Sequence, residues 1–176
     1  AMTSPTAATA AGALAADSKA YGGSQTTLHA MRYLQQANME IEQGKSIQNL
    51  VNDAPLKNGK PSIIGFARPV SKLDERIKPH REMTAKLGFT IGPHMALADQ
   101  VAIFLSENYG TGINIGGYTA ALLLDQGFKP EHGYVIKNYW VGSGVIDRTQ
   151  QKKQTTTKLI HPLKRRENHA QSTPRR

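Results

Sequence analysis

The chain carries six histidines, His29, His80, His94, His132, His161 and His169, and no cysteine. Histidine is the usual proton carrier near neutral pH and a common zinc ligand. No two of these six share a helical ligand spacing with a nearby carboxylate, which argues against a metal centre. The lack of cysteine excludes disulfides and thiolate metal sites. There is no Gly-x-x-x-x-Gly-Lys-Ser/Thr phosphate loop; Gly110–Gly117 is merely glycine-rich and reads as a tight connection. No nucleophile elbow and no Cys/His pair is present. The remaining chemistry is cationic. From Arg148 onward there are nine Lys or Arg against Glu167, so +8 of the net +9 lies in the tail and the body is nearly neutral. Such a tail suits a polyanion such as a nucleic acid, an anionic lipid surface or CoA. It equally suits a solvated, disordered end; without interleaved aromatic residues the nucleic-acid reading is weak, and no membrane partner is expected.

The elements that position these residues read as helices. Residues 5–20 are alanine-rich and helix-prone, ending near Gly22-Gly23. Over 25–43, Leu28, Met31, Leu34, Met39 and Ile41 recur at roughly helical spacing, and Gly44 is a natural stop. A short helix over 46–53 precedes Pro55. Asn58-Gly59 marks a turn, followed by the short apolar run Ile63-Ile64-Gly65-Phe66. Helices are expected over 72–88, from Pro93 to about Tyr109, over 119–125, from Pro130 through Tyr139, and onward to about Lys153. Asp125 reads as polar surface. No strand-rich region or repeat is visible, so the class is mainly α.

At 176 residues the chain suits one domain with a lean core, since aromatic residues make up only 6%. No apolar run is long enough to span a membrane, and no secretory signal is present, so the expected location is cytoplasmic. Ala1-Met2 reads as a tag remnant before a start methionine.

Three segments, in order, carry a resemblance. Lys19-Ala20-Tyr21-Gly22-Gly23 follows a helix, where a Gly-Pro-x-His-Gly-Gly-like turn would stand. Gly65-Phe66-Ala67-Arg68-Pro69-Val70-Ser71-Lys72 is similar to Gly-Phe-Gly-His-Pro-Val-Tyr-Lys, with Asp74-Glu75-Arg76 standing for Asp-Pro-Arg. Ile113-Asn114-Ile115-Gly116-Gly117-Tyr118 and the apolar run to Phe128 look like an Asn-Val-Asp-Gly segment and its helix. Gly144–Leu163 resembles a closing helix, with His161-Pro162 for its Arg-Pro end. Together, over about residues 10–165, the chain resembles the C-terminal half of the citrate synthase and citryl-CoA lyase family.

The resemblance implies an all-α fold, a citrate synthase-like small helical domain plus part of the large domain. Residues 1–55 would be large-domain helices and 56–142 the small, CoA-type domain. Residues 143–165 would be the closing helix and 166–176 a basic, disordered tail. It implies an acyl-CoA and a small carboxylic acid as substrates, with no metal. In that family an Asp removes a proton from the acetyl-CoA methyl group, two His assist, and arginines hold carboxylates. Here Gly116 stands at the Asp position, and Tyr21 and Arg68 at the His positions; Arg148 aligns with a third His. A phenol is a poor proton carrier at neutral pH, and arginine does not titrate. The resemblance therefore gives Tyr21 a hydrogen-bond donor role and Arg68 an oxyanion or carboxylate clamp. Gly65, Phe66 and Ala67 would receive adenine, and Lys72 and Arg76 would meet phosphates or a carboxylate. The family's N-terminal half has no counterpart, so a second subunit or a homodimer is expected to supply it. A catalytically inactive binding or scaffolding subunit is the alternative.

Overall fold

The computed structural model describes residues 4–17, 24–66, 74–140 and 143–144. Residues 15–138 form one compact unit, which holds the core and the candidate site; residues 1–14 and 139–176 are assigned to a second. In order the elements are α1 (Pro5–Asp17), α2 (Ser24–Glu42), α3 (Ile47–Asn52), β1 (Leu56–Lys57), β2 (Lys60–Pro61), α4 (Ile77–Lys86), α5 (Pro93–Tyr109) and α6 (Ile115–Asp125). A last helix, α7, covers 130–140. The expected all-α class holds.

The centre of the core is α6. Every residue from Gly116 to Ala121 is buried, as are Leu123 and Leu124. A helix that is apolar all round must be enclosed on all sides. Against it α2 lays Thr27, Ala30, Met31, Leu34 and Ala37, a stripe at 3.6-residue spacing. This differs from the face expected from the large residues alone. Met39 lies five positions beyond Leu34, points away from the stripe and is exposed. Ala30 and Ala37 take its place because their small side chains let the backbones of α2 and α6 approach. α5 contributes Met95, Leu97, Ala98, Val101 and Leu105, while Ile103 faces outward.

Several boundaries fall where local chemistry dictates. Asn58 and Gly59 both take positive φ, of 52° and 73°, the turn that a two-residue hairpin needs. Around it β1 and β2 pair antiparallel, Leu56 with Pro61 and Lys57 with Lys60. α5 starts with Pro93 in its first turn and stops at Gly110 in the left-handed region, as read from the sequence.

Two boundaries differ from expectation. α6 begins at Ile115, four residues before Thr119, because Asn114 accepts hydrogen bonds from the Gly116 and Gly117 amides and caps it. The glycine-rich connection is thus partly helix. α4 begins at Ile77 rather than 72; residues 74–76 form a turn. The expected continuations through 18–20, 72–73 and 145–153 lie outside the described residues.

Asp125 is not polar surface. Its side chain is 1% exposed. It accepts hydrogen bonds from the Gly92, His94 and Met95 amides at 2.8–3.0 Å, and lies 3.0 Å from His94 Nδ1. The last residue of α6 therefore caps the first turn of α5. The spacing along one helix cannot reveal this, because the donors lie about thirty residues away in sequence.

Candidate functional site

The turn ending in Gly65-Phe66 docks on the segment that opens α6. Phe66 forms an isolated antiparallel bridge with Ile113, and the Gly65 carbonyl accepts from the Asn114 amide at 2.9 Å. Gly65 has φ +92°, and a Cβ on Gly117 would lie 2.2 Å from the Gly65 oxygen. Both glycines are required: one by its backbone conformation, the other by the absence of space. Phe66 is buried and meets the Tyr33 ring edge-on at 6.5 Å.

A buried acid organises the next layer. The Asp74 side chain is fully buried. Its Oδ1 accepts from the Arg76 amide at 3.2 Å and from Arg76 Nε at 2.8 Å. Its Oδ2 accepts from an Arg76 terminal nitrogen and from the Ile115 amide, each at 2.8 Å. Burial opposes the charge on this carboxylate. The Arg76 side-chain bonds, the Ile115 and Arg76 amides and the positive charge of Arg76 outweigh it and hold the group down at about 2. Asp74 thus ties Arg76 to the first turn of α6. The guanidinium is about half exposed, so its other side remains accessible.

Gly116 follows directly in α6 and is buried. A Cβ there would meet Thr26 Cγ2 at 3.0 Å and the capping Asn114 Oδ1 at 3.1 Å. A larger side chain at this position would press on Thr26 and on the capping Asn114 side chain. The first turns of α2 and α6 therefore face one another across Gly116.

A cavity of about 600 Å³ opens between α4 and α5, with Asp74 and Ile113 in its wall. Across it Arg81 pairs with Asp99, and the same guanidinium lies 5.5 Å from the Tyr118 ring centre. Tyr118 in turn shares a buried 2.7 Å hydrogen bond with Thr84. Among the described residues, no group of His, Cys, Asp and Glu is arranged to hold a metal ion. No described helix is long and apolar enough to cross a membrane.

Of the residues singled out from sequence, the structure brings together Gly65, Phe66, Arg76 and Gly116. Tyr21, Ala67, Arg68 and Lys72 lie outside the described residues. Sequence reasoning gave no role to the buried Asp74 carboxylate; its signal was the two-residue spacing to Arg76. It also passed over Lys137, which carries no sequence signal. That lysine is half-buried, and burial first, then the Arg76 charge, push its ammonium below the usual lysine range.

This all-α arrangement, with a glycine turn docked on a capped central helix, is a citrate synthase-like fold. The solved structure of citryl-CoA lyase from Hydrogenobacter thermophilus matches it with a TM-score of 0.66 and 26% identity, over 85% of this chain. The chain spans 56% of the length of that protein. No family model and no curated protein matches the chain.

Proposed function

We propose that this chain is a citrate synthase-like subunit that handles an acyl-CoA and a small carboxylic acid in carbon–carbon bond formation or cleavage. The observation that carries the reading is Arg76 locked by buried Asp74 to the first turn of α6. A fixed, half-exposed guanidinium is a preorganised carboxylate or phosphate clamp. It stands in the same neighbourhood as Gly65, Phe66 and Gly116. In this reading Gly65, Phe66 and Ala67 meet the adenine end of CoA. Lys72 joins Arg76 at anionic groups, Tyr21 donates a hydrogen bond, and Arg68 clamps the acyl oxygen or a carboxylate.

Deprotonating an acyl-CoA methyl group needs a base. Gly116 supplies none, and a Cβ there would already crowd the Thr26 methyl group. The base therefore comes from a second polypeptide or a second copy that completes the site. The same crowding favours a second reading, a catalytically inactive subunit that keeps the fold and binds or scaffolds.

Calorimetric titration of the purified chain with CoA and acetyl-CoA, alone and with any co-purifying polypeptide, tests the proposal. Micromolar binding is expected, with citryl-CoA cleavage appearing only when the partner is present. Binding without turnover in either setting selects the inactive subunit. No binding in either setting removes the acyl-CoA reading.

A further inference from the structure

We propose that the cavity between the second half of α2, α3 and the segment after β2 binds a small amphiphilic amine, a molecule with one apolar ring or chain and one ammonium group. Asp74, Arg76 and Gly116 take no part in its lining. The inference does not rest on the acyl-CoA reading.

The cavity holds about 370 Å³, at the lower end of the range for small-molecule sites. Three contacts fix its walls. Lys45, just after the turn at Gly44, reaches Glu40 of α2 and Asp53 at the end of α3, each at 2.7 Å, and ties the two helices together. The Ser62 amide donates to the Pro55 carbonyl at 2.7 Å and closes the loop that carries the hairpin. The Tyr33 ring meets buried Phe66 edge-on. Between these contacts the wall is largely apolar. Ala37, Leu50 and Ile63 line it with buried side chains, and Ala54 and Pro55 complete it. Burying apolar ligand surface against such a wall is favourable in itself. It does not suit a bare metal ion, which needs oxygen ligands all round.

Two polar features set the class of ligand. Tyr33 lines the cavity, and its hydroxyl is shielded from solvent and has no hydrogen-bond partner in the chain. A buried hydroxyl left unpaired costs stability, and a ligand that pairs with it recovers that cost. Burial first, then the Glu40 charge, push this phenol up to about 12, with Lys45 opposing. It therefore stays neutral near neutral pH and can accept a hydrogen bond as well as donate one. The second feature is the charge of the rim. Glu40 and Asp53 stand against Lys45 alone, which leaves one negative charge in excess among the lining residues. Glu40 and Lys45 are each 27% exposed, so this charge acts through a partly dry medium. Gln36 donates to Glu40 Oε1 at 2.9 Å and helps to hold that carboxylate in place. An ammonium group balances the rim and donates to the phenol oxygen, while the apolar body covers Leu50 and Ile63. An uncharged molecule gains only the apolar contact, and an anion is repelled.

The test is titration of the full chain with benzylamine, with benzyl alcohol and benzoate as the uncharged and anionic controls. NMR of the Leu50, Ile63 and Ile64 methyl groups follows binding. Benzylamine is expected to shift these signals to saturation with a Kd of about 1 mM or tighter. Benzyl alcohol should bind at least about fivefold more weakly, and benzoate not at all. Glu40→Gln should bring the amine and the alcohol within about twofold of one another. Tyr33→Phe keeps the ring on Phe66 and should weaken benzylamine about threefold or more. The same variant, without ligand, should melt at the same temperature or higher, because the hydroxyl has no bond to lose. A lower melting temperature would show that the hydroxyl has a partner within the chain, and it overturns the inference. Methyl signals that do not saturate with benzylamine overturn it as well. So does a control that binds as tightly as the amine, a preference for the amine that survives Glu40→Gln, or a Tyr33→Phe chain that binds the amine undiminished. Acetyl-CoA enters none of these outcomes, so the acyl-CoA reading stands or falls separately.

Discussion

At the scale of single residues, Asp74 bears the most constraint. Four hydrogen bonds converge on one buried carboxylate, three from Arg76 and one from Ile115. Its carboxyl is held at about 2 in the folded chain, below the ordinary 3.8. A group depressed in this way stabilises fully above its unfolded value and ceases to do so as pH falls through its folded value. Its contribution should therefore be complete at neutral pH and fade between about pH 4 and about pH 2. Asp74→Asn is expected to cost roughly 2–3 kcal/mol at pH 7, because it removes bonds to a charged acceptor. The difference from the unaltered chain should vanish in acid. Urea unfolding as a function of pH measures both. A constant difference down to pH 2 would show that Asp74 is not ionised where it sits.

At the scale of elements, the junction of α5 and α6 depends on Asp125. One side chain satisfies three of the amides that open α5. Gly92 makes the contact feasible, since a Cβ there would lie 2.6 Å from the carboxylate. Asp125→Ala should cost roughly 2 kcal/mol, the upper end for a helix cap, because several amides lose their acceptor together. Asp125→Asn keeps one acceptor and should cost about half as much. The amide of Met95 is the local reporter. Its hydrogen exchange should speed up in Asp125→Ala relative to the middle of α5, and equal protection would place the capping energy elsewhere.

At the scale of the whole molecule, the surface is unevenly apolar. Met83, Leu87, Phe89 and Ile91, at the end of α4 and in the loop after it, are all exposed. Grouped apolar exposure of this kind marks an interaction surface more often than isolated residues do. The proposed function needs a second chain, and this strip is a suitable face for it. Phe89→Ser should weaken association with the partner, or with a second copy, while leaving the melting temperature of the isolated chain within a few degrees. Sedimentation velocity at several concentrations reads the first quantity and calorimetry the second. Unchanged association would move the interface away from this strip.

The sequence by itself determined what depends on neighbours along the chain. Helix periodicity, Pro93 and Gly110 at the ends of α5, and the Asn58-Gly59 turn are local matters of dihedral preference and capping. The order of Gly65-Phe66, Asp74-Arg76 and Asn114–Gly117 was enough to point to a citrate synthase-like fold, which the structure and its neighbour bear out. Only the tertiary structure decided the fate of charged and small residues. Asp125 became a cap, Met39 turned to solvent, and Gly116 came to lie against Thr26. Dihedral preference acts between adjacent residues and leaves a trace in the sequence. Burial and charge pairing depend on which helices meet, and the partners of Asp125 are far away along the chain.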